Sequence, residues 1–247
     1  MPASPAPEPR PSYYAARAGG WRDWWTLLHP PYTAWHLAYV TIGACLAPVV
    51  NLTRLAATLL AFFCAVGLAA HALDELQGRP LRTQIPNGAL VAAAVLGLAG
   101  SLALGIVGVV QVGPALVPFL VIGPVLVVGY NFELFGGIIH NDIGFAASWG
   151  AFPLLTAYVA QTDRLALAPI IAAVGAFALS LAQRALSTPA RMLRRRSTDI
   201  AGAIGLTDGG KLPLDRAVLL APLERALQSM SWAVVLVAAA LAVARLD

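Results

Sequence analysis

Ala69-Ala70-His71-Ala72-Leu73-Asp74-Glu75-Leu76-Gln77-Gly78-Arg79-Pro80-Leu81-Arg82-Thr83 closes a long apolar run with a His, an Asp and a Glu inside five residues. Ionisable groups at the end of a hydrocarbon-compatible segment are costly, which makes them functional candidates. On a helix His71, Asp74 and Glu75 stand at i, i+3 and i+4 and share a side. Gly78 and Pro80 then break the helix.

Whether that run lies in a membrane is decided by composition. Of 247 residues 59% are hydrophobic and 11% charged, and mean hydropathy is +0.74. A soluble domain carries about 25% charged residues, and several runs here reach the roughly 20 apolar residues that cross a bilayer. The expected fold is an all-α polytopic membrane bundle of seven or eight transmembrane helices. It is a single integral-membrane domain over residues 29–247, behind a disordered or interfacial segment at 1–28. Within that segment, Trp21-Arg22-Asp23-Trp24-Trp25 suits the membrane–water interface. The net charge of +4 sits in a few loops and forms no stripe interleaved with aromatics, so nucleic acid is not an expected partner. Cys45 and Cys64 lie in apolar runs and read as packed residues.

Working outward, spans are expected at about 32–50, 55–76, 89–110, 114–135, 143–160 and 165–186. A polar, non-spanning segment follows at 188–211. Residues 212–227 read as a short helix and 230–244 as a final span. His36, inside the first span, reads as a packed polar residue. Arg10, Arg17, Arg22, Arg79, Arg82, Arg191, Arg194, Arg195, Arg196 and Lys211 fall on one side of this arrangement, Arg54 and Arg164 on the other. That asymmetry places the amino terminus and the arginine-rich side in the cytoplasm. Polar residues from four helix ends then gather at one cytoplasmic mouth.

Two further constellations reach that mouth. Glu133 and Asp142 are the only acids between Glu75 and Asp163, and they lie in Gly129-Tyr130-Asn131-Phe132-Glu133 and His140-Asn141-Asp142. They serve either to complete a metal or substrate site or as a helix clamp, with Asn141 or Asp142 as a cap. Gln183-Arg184-Ala185-Leu186-Ser187-Thr188-Pro189-Ala190-Arg191 supplies guanidinium groups of the kind that fork onto phosphate. Zinc-type Cys/His spacing, a phosphate loop and Gly-x-Ser-x-Gly are all missing from the sequence.

From Tyr32 to Arg191 the chain resembles the UbiA superfamily of intramembrane prenyltransferases. The resemblance rests on the acidic end of the second span, on Gly78-Arg79-Pro80-Leu81-Arg82-Thr83, on Tyr130 and on Ser148-Trp149-Gly150. It implies a helical bundle around a lipid-open cavity in which Mg²⁺ holds an isoprenoid diphosphate. Laid on the family's first acidic motif, only Asp74 matches; Ala70, His71 and Gly78 stand at the other positions. The second acidic motif has no counterpart, since no acid lies between Asp163 and Asp199. The resemblance implies a prenyltransferase or terpene-cyclase-type enzyme. His71, Asp74, Glu75, Tyr130 and Glu133 would be catalytic, and Asp74, Glu75 and Asp142 would hold the metal. Arg79, Arg82, Asn131, His140, Asn141, Trp149, Arg184 and Arg191 would bind substrate, with the lipid bilayer as the medium. The alternative is a non-enzymatic lipid-binding, transport or assembly protein on the same scaffold.

Overall fold

The computed structural model describes residues 10–245; the first nine residues of the expected disordered tail lie outside them. Among the described residues the principal elements are eight helices, two of them carrying π-helical turns, and one small hairpin. They are α1 (Trp21–Leu27), α2 (Pro30–Cys45), α3 (Leu52–Leu76), α4 (Asn87–Gln111), α5 (Pro114–Asn131), α6 (Asp142–Thr162), α7 (Leu167–Arg195) and α8 (Arg216–Val243). The antiparallel hairpin β1 (Ala203–Gly205) and β2 (Lys211–Pro213) links α7 to α8, with Ile204 opposite Leu212.

Six helices, α3 to α8, are long and apolar enough to cross a membrane. The protein is therefore a multi-pass helical bundle, with fewer full-length spans than the expected seven or eight. Two physical reasons account for the difference. The segments expected at 212–227 and 230–244 form one continuous helix, α8, through Pro222. The first expected span, α2, has 16 residues, about 24 Å at 1.5 Å per residue, short of a hydrocarbon core of about 30 Å. It is buried nearly all round: Trp35, Tyr39, Val40 and Ala44 are at most 1% exposed. A helix apolar on every side belongs inside the bundle, and α2 packs between α6 and α8. The outer helices instead turn Leu96, Val110, Ile171, Val174 and Leu236 outward, the apolar face a bilayer covers.

Close packing needs small residues where backbones meet. A Cβ on Gly43 of α2 would lie 2.1 Å from the Leu154 carbonyl oxygen of α6, and one on Gly150 of α6 would lie 2.7 Å from the Ala176 oxygen of α7.

The bundle's two ends differ. At one end Arg54 donates to the carbonyls of Gln161 (3.0 Å) and Gln111 (3.3 Å), Asn51 N–H donates to the Gln161 side chain (2.8 Å), and Ala115 N–H donates to Asp163 (2.9 Å). Short loops are thereby locked, with their polar groups satisfied. The starts of α2, α6 and α8 meet the ends of α3, α5 and α7 at the other end, around a cavity of about 580 Å³. From Arg10 onward the described part of the amino-terminal segment folds onto this mouth: Ser12 and Ala15 are buried, and buried Asp23 accepts from Gly19 N–H and Gln84 N–H, both at 3.0 Å.

Candidate anion-binding cavity

Two helices are locally unwound into π-turns beside the cavity: Phe63–Ala70 in α3 and Ala147–Ala151 in α6. Such widened turns are uncommon and concentrate at functional sites. The first immediately precedes His71; the second contains Trp149. On α3, Val66, Ala70, His71 and Asp74 line the cavity. His71 donates from Nδ1 to the Gly67 carbonyl (3.1 Å). A carbonyl can only accept, so Nδ1 carries the proton and Nε2 presents a lone pair. His36, also on the wall, donates from Nδ1 to Trp149 O (2.8 Å), and His140 does the same to Tyr130 O (2.8 Å). In their neutral forms His36 and His71 thus present Nε2 as the accepting nitrogen.

Tyr130, Phe145 and Trp149 form the inner aromatic wall. Tyr130 meets Trp149 edge-on with centroids 5.8 Å apart, and His140 stacks on Tyr130 at 4.5 Å. Asn131 lines the cavity with its amide donated to Val127 O (2.8 Å).

α7 supplies the charge. The helix runs nine residues past the expected end at 186, through Pro189 to Arg195, because proline in a span is tolerated where neighbours satisfy the freed carbonyl. Arg184, Arg191, Arg194, Arg195 and Arg196 consequently project into the mouth. Arg184 pairs with exposed Asp142 (2.8 Å) and lies over the Phe145 ring, while Arg194 forks onto Glu224 of α8. Arg191, Arg195 and Arg196 have no carboxylate partner among the described residues. Asp74 and Glu224 are the carboxylates on the wall, and only Asp74 is unpaired. The cavity carries an excess of positive charge beside an apolar interior.

Several expected site residues stand elsewhere. Glu75 is fully buried and turned away: its carboxylate accepts Leu81 N–H (2.9 Å), Thr83 N–H (2.8 Å) and the Thr83 hydroxyl (2.8 Å). It holds the loop in which Gly78, Arg79 and Arg82 adopt left-handed backbone. Arg79 staples that loop, donating to Ile85 O (2.7 Å) and to the Asn87 side chain. Arg82 is an exposed residue of the same loop. Asn141 caps α6, accepting from Gly144 N–H (2.8 Å). Glu133 is exposed, with its carboxylate 3.8 Å from His140 Nε2. Asp142 faces Arg184. Among the described residues no three His, Cys, Asp or Glu side chains gather as a metal ligand set. The expected magnesium trio of Asp74, Glu75 and Asp142 is not assembled, because Glu75 is committed to the loop and Asp142 to Arg184.

Sequence reading missed the amino-terminal contribution. Tyr14 and His29 share a hydrogen bond of 2.5 Å, and His29 stacks on His71 at 4.3 Å. Burial, reinforced by His71, Arg195 and Arg191, holds His29 well below its ordinary pKa, so it is neutral at pH 7. Burial also pushes the Tyr14 hydroxyl up. Two polar atoms of lining residues, His29 Nε2 and Gln183 Oε1, are buried with no partner. The helical period of the arginines, and a His-Pro-Pro entry to α2, were the available signals.

Comparison with protein-family models, with curated proteins and with solved structures gives no match for this chain; the cavity's own chemistry is the basis for its function.

Proposed function

We propose that this chain is a membrane-embedded enzyme acting on an isoprenoid diphosphate, as its resemblance to the UbiA prenyltransferases implies. The observation that carries the reading is Arg191 and Arg195, unpaired with any carboxylate of the described residues, at the mouth of a cavity whose inner wall is Tyr130, Phe145 and Trp149. Arginine forks match phosphate oxygens bidentately, and the volume of about 580 Å³ is within the roughly 300–1,000 Å³ of small-molecule sites. The diphosphate sits at the arginines and the hydrocarbon chain runs inward. The allylic C–O bond breaks with its electron pair leaving on the diphosphate oxygen, where the guanidinium groups neutralise it. The allylic cation faces the π-systems of Tyr130 and Trp149. An acceptor, or a double bond of the same chain, then attacks, and the proton released goes to His71 Nε2. Magnesium, if bound, would have Asp74 as the one unpaired carboxylate among the described lining residues to hold it. The positive-inside asymmetry supports a cytoplasmic mouth.

A second reading is a non-enzymatic carrier or binder of a phosphorylated lipid. It is favoured by the single unpaired carboxylate, which leaves the cavity an anion receptor more than a metal centre. Labelled prenyl diphosphates of graded chain length, offered to the purified protein in nanodiscs, separate the two. The enzyme reading expects diphosphate release, falling about 100-fold in Arg191→Ala and Asp74→Ala. Tight binding without release establishes the carrier instead, and neither binding nor release sinks both.

A further inference from the structure

The cavity's mouth is covered by the chain's own amino-terminal segment. Arg194 donates to the Arg10 carbonyl (3.3 Å), and Arg195 donates to the Pro11 carbonyl (3.1 Å) and the Ser12 hydroxyl (3.5 Å). Tyr13 and Tyr14 lie on the cavity wall, with Tyr14 edge-on to Tyr32 at 5.6 Å. Beyond Ala15 the segment is fixed to the body: Ala16 N–H donates to the Thr26 hydroxyl (3.0 Å) and Gly19 N–H to Asp23 (3.0 Å).

The two halves of this strap are held in different ways. From Ala16 onward its bonds go to Thr26 and Asp23, which are not among the cavity's lining residues. Before Ala16 it is held by the Tyr14–His29 hydrogen bond, by Arg194 and by Arg195, the last being the same guanidinium that the cavity offers to an anion. The oxygens it gives that guanidinium are neutral. A phosphate oxygen carries formal charge, and a charge-assisted bond is about twice as strong as a neutral one. The strap therefore imitates the polar half of an anionic head group and does so imperfectly.

We infer that residues 10–15 form an autoinhibitory strap whose carbonyls occupy Arg195 at rest and which swings out about Ala16 when a diphosphate takes that arginine. The inference rests on reading the cavity as an anion site, and it adds a regulation: entry of the head group and opening of the mouth are one event. Ligands lacking the charged head do not open it.

The test uses the full chain in nanodiscs, with Cys45 and Cys64 replaced by alanine and spin labels at Arg10→Cys and Ala185→Cys, both exposed positions. Inorganic pyrophosphate is the probe, its binding followed by calorimetry and the label separation by pulsed electron resonance. The separation is expected to lengthen, saturating over the same concentrations as the heat signal. Tyr14→Ala, which loosens the strap, is expected to tighten pyrophosphate binding at least about tenfold, or about 1.4 kcal/mol. Tyr14→Phe, which removes only the hydroxyl, is expected to shift it the same way by less, and it decides the matter if Tyr14→Ala does not fold. Pyrophosphate binding with an unchanged separation overturns the strap and leaves the anion site standing. Absence of binding in the full chain and in the Tyr14 variants overturns the anion site and the strap with it.

Discussion

Asp74 and Glu75 are neighbours in sequence and opposites in environment. Consecutive helical residues point about 100° apart, so one carboxylate faces the cavity and the other the loop that follows. Glu75 satisfies two buried N–H groups and one hydroxyl; without it each is left dry, at about 1–3 kcal/mol apiece. Glu75→Ala is expected to cost about 3 kcal/mol or more, read as a large fall in detergent melting temperature. Asp74→Ala removes a carboxylate with no recorded bond and is expected to melt near the parent. Equal melting of the two variants would contradict these assignments. The sequence motif did reveal the acidic helix end. It could not separate the two acids, because Glu75's partners lie six and eight residues downstream in a loop whose left-handed turns at Arg79 and Arg82 leave no mark in residue type. The lone-pair direction of His71 depends in the same way on a carbonyl one turn back.

At the scale of helices, hydropathy located every long apolar segment, and misjudged where polar or proline-containing turns continue a helix. Pro189 and the arginines after it read as a loop; in the fold they extend α7 by more than two turns and deliver the cationic half of the site. The π-turns before His71 and around Trp149 are also silent in sequence, since they arise where helices press together. One such contact can be tested directly. At Gly43 an added methyl would meet the Leu154 carbonyl carbon at 2.8 Å as well as its oxygen, and backbone cannot yield as a side chain can. Gly43→Ala is expected to lose about 1–3 kcal/mol or more by splitting α2 from α6. Gly175→Ala, in α7 with nothing within 4 Å, is expected to be neutral or to gain about 0.5–1 kcal/mol, as glycine gives way to a better helix former. Thermal melts of the pair in one detergent check both signs. A Gly43→Ala protein as stable as the parent would mean the two helices are not in backbone contact.

Across the whole molecule, charge and chemistry are segregated to one end. The far end uses Arg54 to tie loops together, whereas the mouth end holds the α7 arginines, Arg79, Arg82 and the segment from Arg10 to Arg22. Residues that bind an anion at the mouth are also those that bias membrane insertion, because both effects count basic side chains near helix ends. The mouth is expected to face the cytoplasm, where its substrate's charged head would be dissolved. α2 starts at this mouth and its last turn accepts Arg245 at the opposite end, through Cys45 O at 3.0 Å. Despite its 16 residues, it is expected to cross with its partners. Single cysteines at Val49 (80% exposed), Asp208 and Arg10, in a background without Cys45 and Cys64, test both points with an impermeant maleimide. Val49→Cys is expected to label on intact cells; Asp208→Cys and Arg10→Cys are expected to label only after permeabilisation. Labelling of Arg10→Cys together with Val49→Cys would show that α2 does not cross. Labelling of Asp208→Cys and Arg10→Cys but not Val49→Cys on intact cells would invert the molecule and move the diphosphate, if it is the ligand, to the outer face.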